Sequence, residues 1–243
     1  MELILSADSL AVFVDDTGDE LLQDPFQKVF GLGGCAVMGS NLDKVIRQPW
    51  REVRREIAGS PDKPLHATDV HPSSEQIETI SSFFKTQPFA RFGAICSVET
   101  DLDRDLAPLI VTVETLKRRI LEILKWQPFR SVEIVFEHSQ RLAQKIEAAF
   151  AGFSLEENGQ SINVGLSWLP KAAHEPALEV ADFLANTIGT QVRHRIANKP
   201  GFAKNFAAFF QHPGRRLVSF IDILEAKRRQ NGGRNDSTQD ITN

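Results

Sequence analysis

The chain has 243 residues, 42% hydrophobic and 25% charged, with a formal net charge of −4, an ordinary balance for a globular protein that buries one sizeable core. Its longest apolar runs, such as Gly31 to Met38 and Phe92 to Val98, are too short to cross a bilayer, and the N-terminus lacks a basic segment followed by an apolar one; a membrane partner is not expected, and the expected location is cytoplasmic. The net charge hides an asymmetry: residues 1–190 hold 18 basic and 28 acidic residues, whereas 191–234 hold 10 basic residues against Asp222 and Glu225.

In chain order, Ala11 to Val14 is a β-branched and aromatic run that ends in Asp15-Asp16-Thr17-Gly18-Asp19-Glu20, which reads as a strand delivering carboxylates to its C-terminal end. A solvated acidic turn is the simpler reading of those residues alone. Lys28 to Met38 is a second, Gly-rich strand. Its Gly31-Leu32-Gly33-Gly34 lacks the following helix and Lys-Ser/Thr of a phosphate cradle. Leu42, Val45, Ile46, Trp50, Val53 and Ile57 give helical spacing over Asn41–Ala58, with Arg47, Arg51, Arg54 and Arg55 on the other side. A Gly-Pro-rich loop leads into Leu65-His66-Ala67-Thr68-Asp69, and Ser73-Ser74 caps a second helix through Phe84. These two helices form an insertion at about 41–86.

Ala90–Glu99 is a third strand, followed by acids at Asp101, Asp103 and Asp105 and a long helix from Pro108. Val132–Glu137 is a fourth strand, and Ser139 is placed to cap a helix over Gln140–Phe150. A loop over Gly152–Gln160 precedes a fifth strand, Ile162–Leu169, and Pro176 starts a helix carrying Glu179 and Asp182 about one turn apart. Helical pieces are expected at Ala203–Phe210 and Leu217–Arg228. Residues 1–229 then form one domain, and 230–243, almost free of apolar residues, read as a disordered tail. Cys35 and Cys96 lie inside apolar runs, which suits buried thiols.

The pattern predicts an α/β fold: a five-stranded mixed sheet, made of a three-strand meander followed by parallel crossovers and flanked by helices. With strands one and four adjacent, Asp15, Glu137, Glu179 and Asp182 converge. Carboxylates about 4 Å apart repel by roughly 4 kcal/mol at an effective dielectric near 20, so such a cluster must be protonated or hold cations. Oxygen-only ligation favours Mg2+ or Mn2+, and two such ions would activate water for phosphodiester cleavage. His66 is a candidate to orient that water or contact the scissile phosphate, with Asp69 joining the metal shell; a loop histidine with a capping aspartate is the structural alternative. A transition-metal set of His66, Asp69 and His71 lacks a ligand-rich motif.

Phe13-Val14-Asp15-Asp16-Thr17-Gly18-Asp19, Leu65-His66-Ala67-Thr68-Asp69, Ile134-Val135-Phe136-Glu137 and Glu179-Val180-Ala181-Asp182-Phe183-Leu184-Ala185 together resemble the bacterial domain of unknown function 3800 family, over most of residues 10 to 195. Asp16 and Thr17 stand where that family usually has Glu and Ser, Pro64 where an acid often precedes Leu-His, Glu137 where Asp is common, and Glu179 where Gln is frequent. The resemblance implies an RNase H-like fold, with Asp15 as central metal ligand and Glu137 and Asp182 completing the site. The expected function is a divalent-metal-dependent nuclease, with Asp16 and Glu179 as supporting ligands and Arg193, Arg195, Arg215 and Arg216 meeting the phosphates of DNA or RNA. The alternative is a non-catalytic nucleic-acid- or protein-binding module on the same fold. Self-association is left open.

Overall fold

The first strand, β1 (Ser9–Gly18), is buried through its first six residues, as an unbroken apolar run should be when helices cover both faces of a sheet. The description of the protein comes from a computed structural model and covers residues 3, 5–24, 26, 28–70, 73–98, 107–157, 159–210 and 219–224. β2 (Val29–Met38) and β3 (Ala90–Ser97) continue an antiparallel meander from β1. β4 (Ser131–Glu137) lies parallel to the other edge of β1, after the crossover helix α3 (Pro108–Trp126). Next come α4 (Ala143–Phe150), β5 (Leu155–Glu157) and β6 (Gln160–Leu169), with β6 parallel to β4. The chain then runs through α5 (Pro176–Ile196), α6 (Lys204–Phe210) and β7 (Ser219–Leu224). The sheet order is β5-β6-β4-β1-β2-β3-β7.

All five expected strands are present, in the expected meander-then-crossover arrangement, within a sheet of seven strands. The two additions correct the sequence reading. The Gly152–Gln160 loop contains β5, which forms a tight antiparallel hairpin with β6. Within the helix expected over Leu217–Arg228, the described residues Ser219–Leu224 are instead β7, parallel to β3; the rest of that span lies outside the described residues. A short apolar run satisfies helical and extended spacing alike, and the free edge of β3 supplies a ladder of hydrogen-bonding partners. Residues 230–243 lie outside the described residues.

The insertion holds α1 (Gln48–Ala58) and α2 (Ser74–Thr86). Ser73 and Gln76 form a reciprocal capping box at α2. Ahead of α1, a π-turn spans Asp43–Arg47, and Pro49 explains it: without an N–H this residue cannot close the ordinary bond to Val45. α4 begins at Ala143, not Gln140, and the Ser139 carbonyl, rather than its side chain, meets the Ala143 N–H.

Alternation along β1 divides the core. Ala11 and Phe13 pack with Trp50, Phe83, Phe84, Leu178 and Ala181 under α1, α2 and α5. Leu10, Val12 and Val14 pack with Val113, Leu116 and Ile146 under α3 and α4. Asp15 therefore faces α5 and Asp16 the opposite layer. The α5 approach is close: a Cβ at Gly33, which pairs with Asp15, would lie 2.6 Å from the Ala185 Cα. The atoms it would meet first, the Ala185 Cα and, at 2.8 Å, its N, belong to backbone and cannot swing aside, so Gly33→Ala should lower stability by about 1–3 kcal/mol, read as a lower urea midpoint with an unchanged slope.

Candidate functional site

The parallel strands β1, β4 and β6 point their C-terminal ends the same way, and a crevice at such ends is where α/β sheets offer a ligand site. A cavity of about 200 Å³ lies there, lined by Asp15, Glu137, Asp182, His66, Asp69 and Lys171, among others. β1 carries Asp15 and β4 carries Glu137. Val14 pairs with Phe136 in parallel register, so Asp15 and Glu137 are the next residues on neighbouring strands, whose backbones run about 5 Å apart. α5 brings Asp182 from above. Its Oδ2 accepts the Ala67 N–H at 2.9 Å and stands 3.8 Å from His66 Nδ1, which ties the His66 loop to the carboxylate. The same loop is turned by His66 O accepting the N–H groups of Asp69 and Val70.

Burial is the main reason the Asp15 carboxyl is held well above the usual range, and the charges of Asp182, Asp16 and Glu137 add to it. Burial also raises Asp182, against the Ala67 N–H, His66 and Lys171, which favour its ionised form. The sequence reading thus placed Asp15, Glu137, Asp182, His66 and Asp69 in what is one cavity.

Two other expected ligands have different partners. Asp16 is on the α3/α4 face, where its Oδ2 accepts from Arg141 Nη2 at 2.9 Å. Arg141 also binds Glu20. Glu179 borders the cavity, but its carboxylate is saturated. Oε2 accepts from Trp50 Nε1 at 2.8 Å, Arg54 Nε at 3.0 Å and Leu65 N at 3.1 Å, and Oε1 from Arg54 Nη2 at 2.7 Å. Glu179 and Arg54 are 5% and 3% exposed. This pair braces α5 against α1, and Arg54 is buried rather than on the solvent side.

Arg193 and Arg195 sit at the far end of α5, whose last turn is basic, a favourable place for cations near the helix C-terminus. Their Cα atoms are more than 16 Å along the axis from Asp182 by the rise of about 1.5 Å per residue. The Arg193 guanidinium nevertheless bends back beside Gly189 and Thr17 and hydrogen-bonds Thr190. Arg215, Arg216, His71, Asp101, Asp103 and Asp105 lie outside the described residues.

Sequence reasoning missed the β6–α5 connection. It contributes Lys171, His174 and Glu175 to the cavity. His174 has φ 49°, and its carbonyl accepts from Arg54 Nη2 at 2.7 Å. Glu175 caps α5 and is neutralised by Arg47. The available signal was positional: a Lys-His-Glu loop after a parallel strand lies at the ligand-bearing end of the sheet.

Among the described residues, no three His, Cys, Asp or Glu side chains already form a group that could hold a metal ion. Among them too, no helix is long and apolar enough to cross a membrane.

No family model matches the chain. No curated protein matches it either. A chain in the structure of the PCNA:RNase HII complex from Archaeoglobus fulgidus is similar to it at TM-score 0.38 and 13% identity, over 80% of this chain and 82% of that one.

Proposed function

We propose that the chain is an RNase H-like, divalent-metal-dependent nuclease. The observation that carries this reading is that Asp15, Glu137 and Asp182, from three separate elements, line one cavity at the C-terminal ends of parallel strands. Arg47 and Arg54 neutralise Glu175 and Glu179. That leaves Asp15, Asp69, Glu137 and Asp182 facing the cavity, where, among its described lining residues, Lys171 is the one Lys or Arg.

A cluster of half-buried and exposed carboxylates offering oxygen donors fits Mg2+ or Mn2+ and not a soft metal. Asp15, Glu137 and Asp182 would hold the ions, which supply Lewis-acid activation of water and stabilisation of the leaving oxygen. The Ala67 N–H fixes one oxygen of Asp182 and leaves the other to hold an ion. His66, whose Nδ1 stands 3.8 Å from Asp182 Oδ2, would orient water or a phosphate oxygen. Asp16 and Glu179 support the site through Arg141 and Arg54. Arg193 and Arg195 would meet the phosphate backbone.

Purified protein should cleave at least one of single- or double-stranded DNA or RNA with Mg2+ or Mn2+, and chelation should stop it. Intact substrates across that panel, with no heat of metal binding by calorimetry, would overturn the reading. The ion pair that ties Asp16, an expected ligand, to Arg141 on the opposite face of the sheet favours a second reading, a binding module without turnover. It predicts nucleic-acid binding that survives both chelation and Asp15→Asn.

A further inference from the structure

β6 has an open edge. β5 pairs only with its first three residues, Leu155 with Ile162, Glu156 with Ser161 and Glu157 with Gln160. From Asn163 to Leu169, β6 pairs with β4 on one side, and among the described residues no strand pairs with its other side. The open stretch, Asn163-Val164-Gly165-Leu166-Ser167-Trp168-Leu169, holds no charged residue and no proline. Its register with β4 is unbroken, so it has no bulge. Charges, prolines and bulges are what ordinarily keep an exposed edge from recruiting another strand, and this edge lacks all three.

The direction of the free groups follows from one bond. Leu169 O accepts the His138 N–H at 2.7 Å, so Leu169 turns its backbone groups toward β4. Successive residues of a strand alternate, and Val164, Leu166 and Trp168 therefore turn N–H and C=O away from the sheet. That makes three donors and three acceptors in a row. The side chains of the same three residues lie half-buried at the rim of the α3/α4 core. Trp168 is stacked on Phe136, 5.1 Å between ring centroids, and gives its indole N–H to Glu147.

We propose that a second copy of this chain adds its β6 to this edge, antiparallel about a two-fold axis through Leu166, and joins the two sheets into one. The outward groups set the register. Leu166 opposite Leu166, with Val164 opposite Trp168 on either side, uses every one of them in reciprocal hydrogen bonds. The same register puts an aromatic residue against a β-branched one, a favourable cross-strand pair, and sets the small Gly165 against Ser167 on the other face. It also fits the ends of the gap. The incoming strand reaches Asn163 with its Leu169, and its Pro170, without an N–H, ends the ladder where β5 begins at Leu155.

Charge selects the occupant. Glu133 and Glu147 accept from Ser167 Oγ and Trp168 Nε1 and remain anionic beside the edge, which disfavours a polyanion. They do not oppose a second copy. Glu133 stands one strand back, so the two are three strand spacings apart, about 14 Å. The two Trp168 backbones, each with its own Glu147, are four residues apart along the seam, about 13 Å. Both separations exceed the screening length of about 8 Å at physiological salt. One short seam is small against the roughly 1,200 Å² that stable complexes bury, so the dimer should be weak, with a dissociation constant on the order of micromolar.

Sedimentation equilibrium of the full chain over roughly 1–200 μM, a range that brackets such a constant, tests the proposal with Leu166→Lys and Leu166→Glu. Each variant sets two like charges about 5.5 Å apart on the axis, and a half-buried site lets a single charge reach water in one copy alone. Wild type should show a monomer–dimer equilibrium, each variant should be monomeric, and their equimolar mixture should regain the dimer because Lys meets Glu. Amide hydrogen exchange of wild type needs no substitution: Val164, Leu166 and Trp168 should gain protection as concentration rises, while Gly165 and Ser167, bonded to β4, should not change. Monomer throughout, with exchange at those three amides independent of concentration, would overturn the proposal and leave the edge to an extended segment of a different protein. A dimer that both variants keep would overturn it in favour of another face. A mixture that stays monomeric, with both variants folded by circular dichroism, would overturn the two-fold at Leu166.

Discussion

Glu179→Ala lowers the stability of the protein by about 3–5 kcal/mol, because it leaves a buried guanidinium without its counter-charge. The residue looks like part of a ligand set, yet every hydrogen bond it makes is structural. Arg54 has two bonds to it, Trp50 its indole N–H, and Leu65 its backbone N–H. After truncation Arg54 keeps only the carbonyls of Pro61 and His174, and neither carries a charge. Against a total stability of about 5–15 kcal/mol, that loss moves the melting temperature of a chain this size by roughly 6–20 °C. Urea unfolding followed by circular dichroism in EDTA reads it directly. Glu179→Gln should also be destabilised in metal-free protein, since the amide cannot match the charge. Were Glu179 a metal ligand, Glu179→Gln would weaken metal binding and leave the metal-free melting temperature unchanged. Replacing both partners by apolar residues, Arg54→Met with Glu179→Leu, should recover much of the loss, since breaking a buried pair costs more than deleting it.

Asp15→Asn should do the opposite to stability while abolishing cleavage. Burial and the charges of Asp182, Asp16 and Glu137 raise the Asp15 carboxyl in the folded protein. The unfolded chain therefore releases this proton first as pH rises past about 3.9, and the folded state loses stability relative to it until the folded group ionises too. Above that point the penalty is constant. Below about pH 4 it is absent. Asp182 and Asp16 shift in the same direction. Metal-free Asp15→Asn should thus be more stable than wild type at pH 7–8, and the two curves should meet in acid. Denaturation at several pH values in EDTA tests this; a variant less stable at pH 8 would mean that the Asp15 carboxylate is a needed hydrogen-bond acceptor. Adding Mg2+ or Mn2+ should then raise the wild-type melting temperature and leave that of the variant unmoved, as binding to the folded state requires.

These two substitutions separate what a motif can say from what it cannot. Glu179 and Asp182 lie in one apolar helix segment three residues apart, and spacing alone assigns both to the same chemistry. Their fates differ because Arg54 and Trp50, more than 120 residues earlier in the chain, reach Glu179 and not Asp182. Asp15 and Asp16 are the same case on a strand: alternation sends them to opposite layers, and Arg141 waits for only one of them. Local sequence carries no trace of a partner that far away.

By itself the sequence determined the five main strands, their meander and crossover order, and the elements that carry Asp15, Glu137 and Asp182, since side-chain periodicity and turn chemistry are local. Only the tertiary structure decided which acids face the cavity, because that depends on which layer each strand face meets and on where the arginines of α1 and the β4–α4 turn arrive. It also decided that the segment at Ser219–Leu224 is a strand, because an apolar run of that length takes its form from the sheet edge offered to it. The loop carrying Lys171 and His174 became part of the site for the same reason: the parallel register of β1, β4 and β6 sets their C-terminal ends side by side, and the connections leaving those ends are brought to one place.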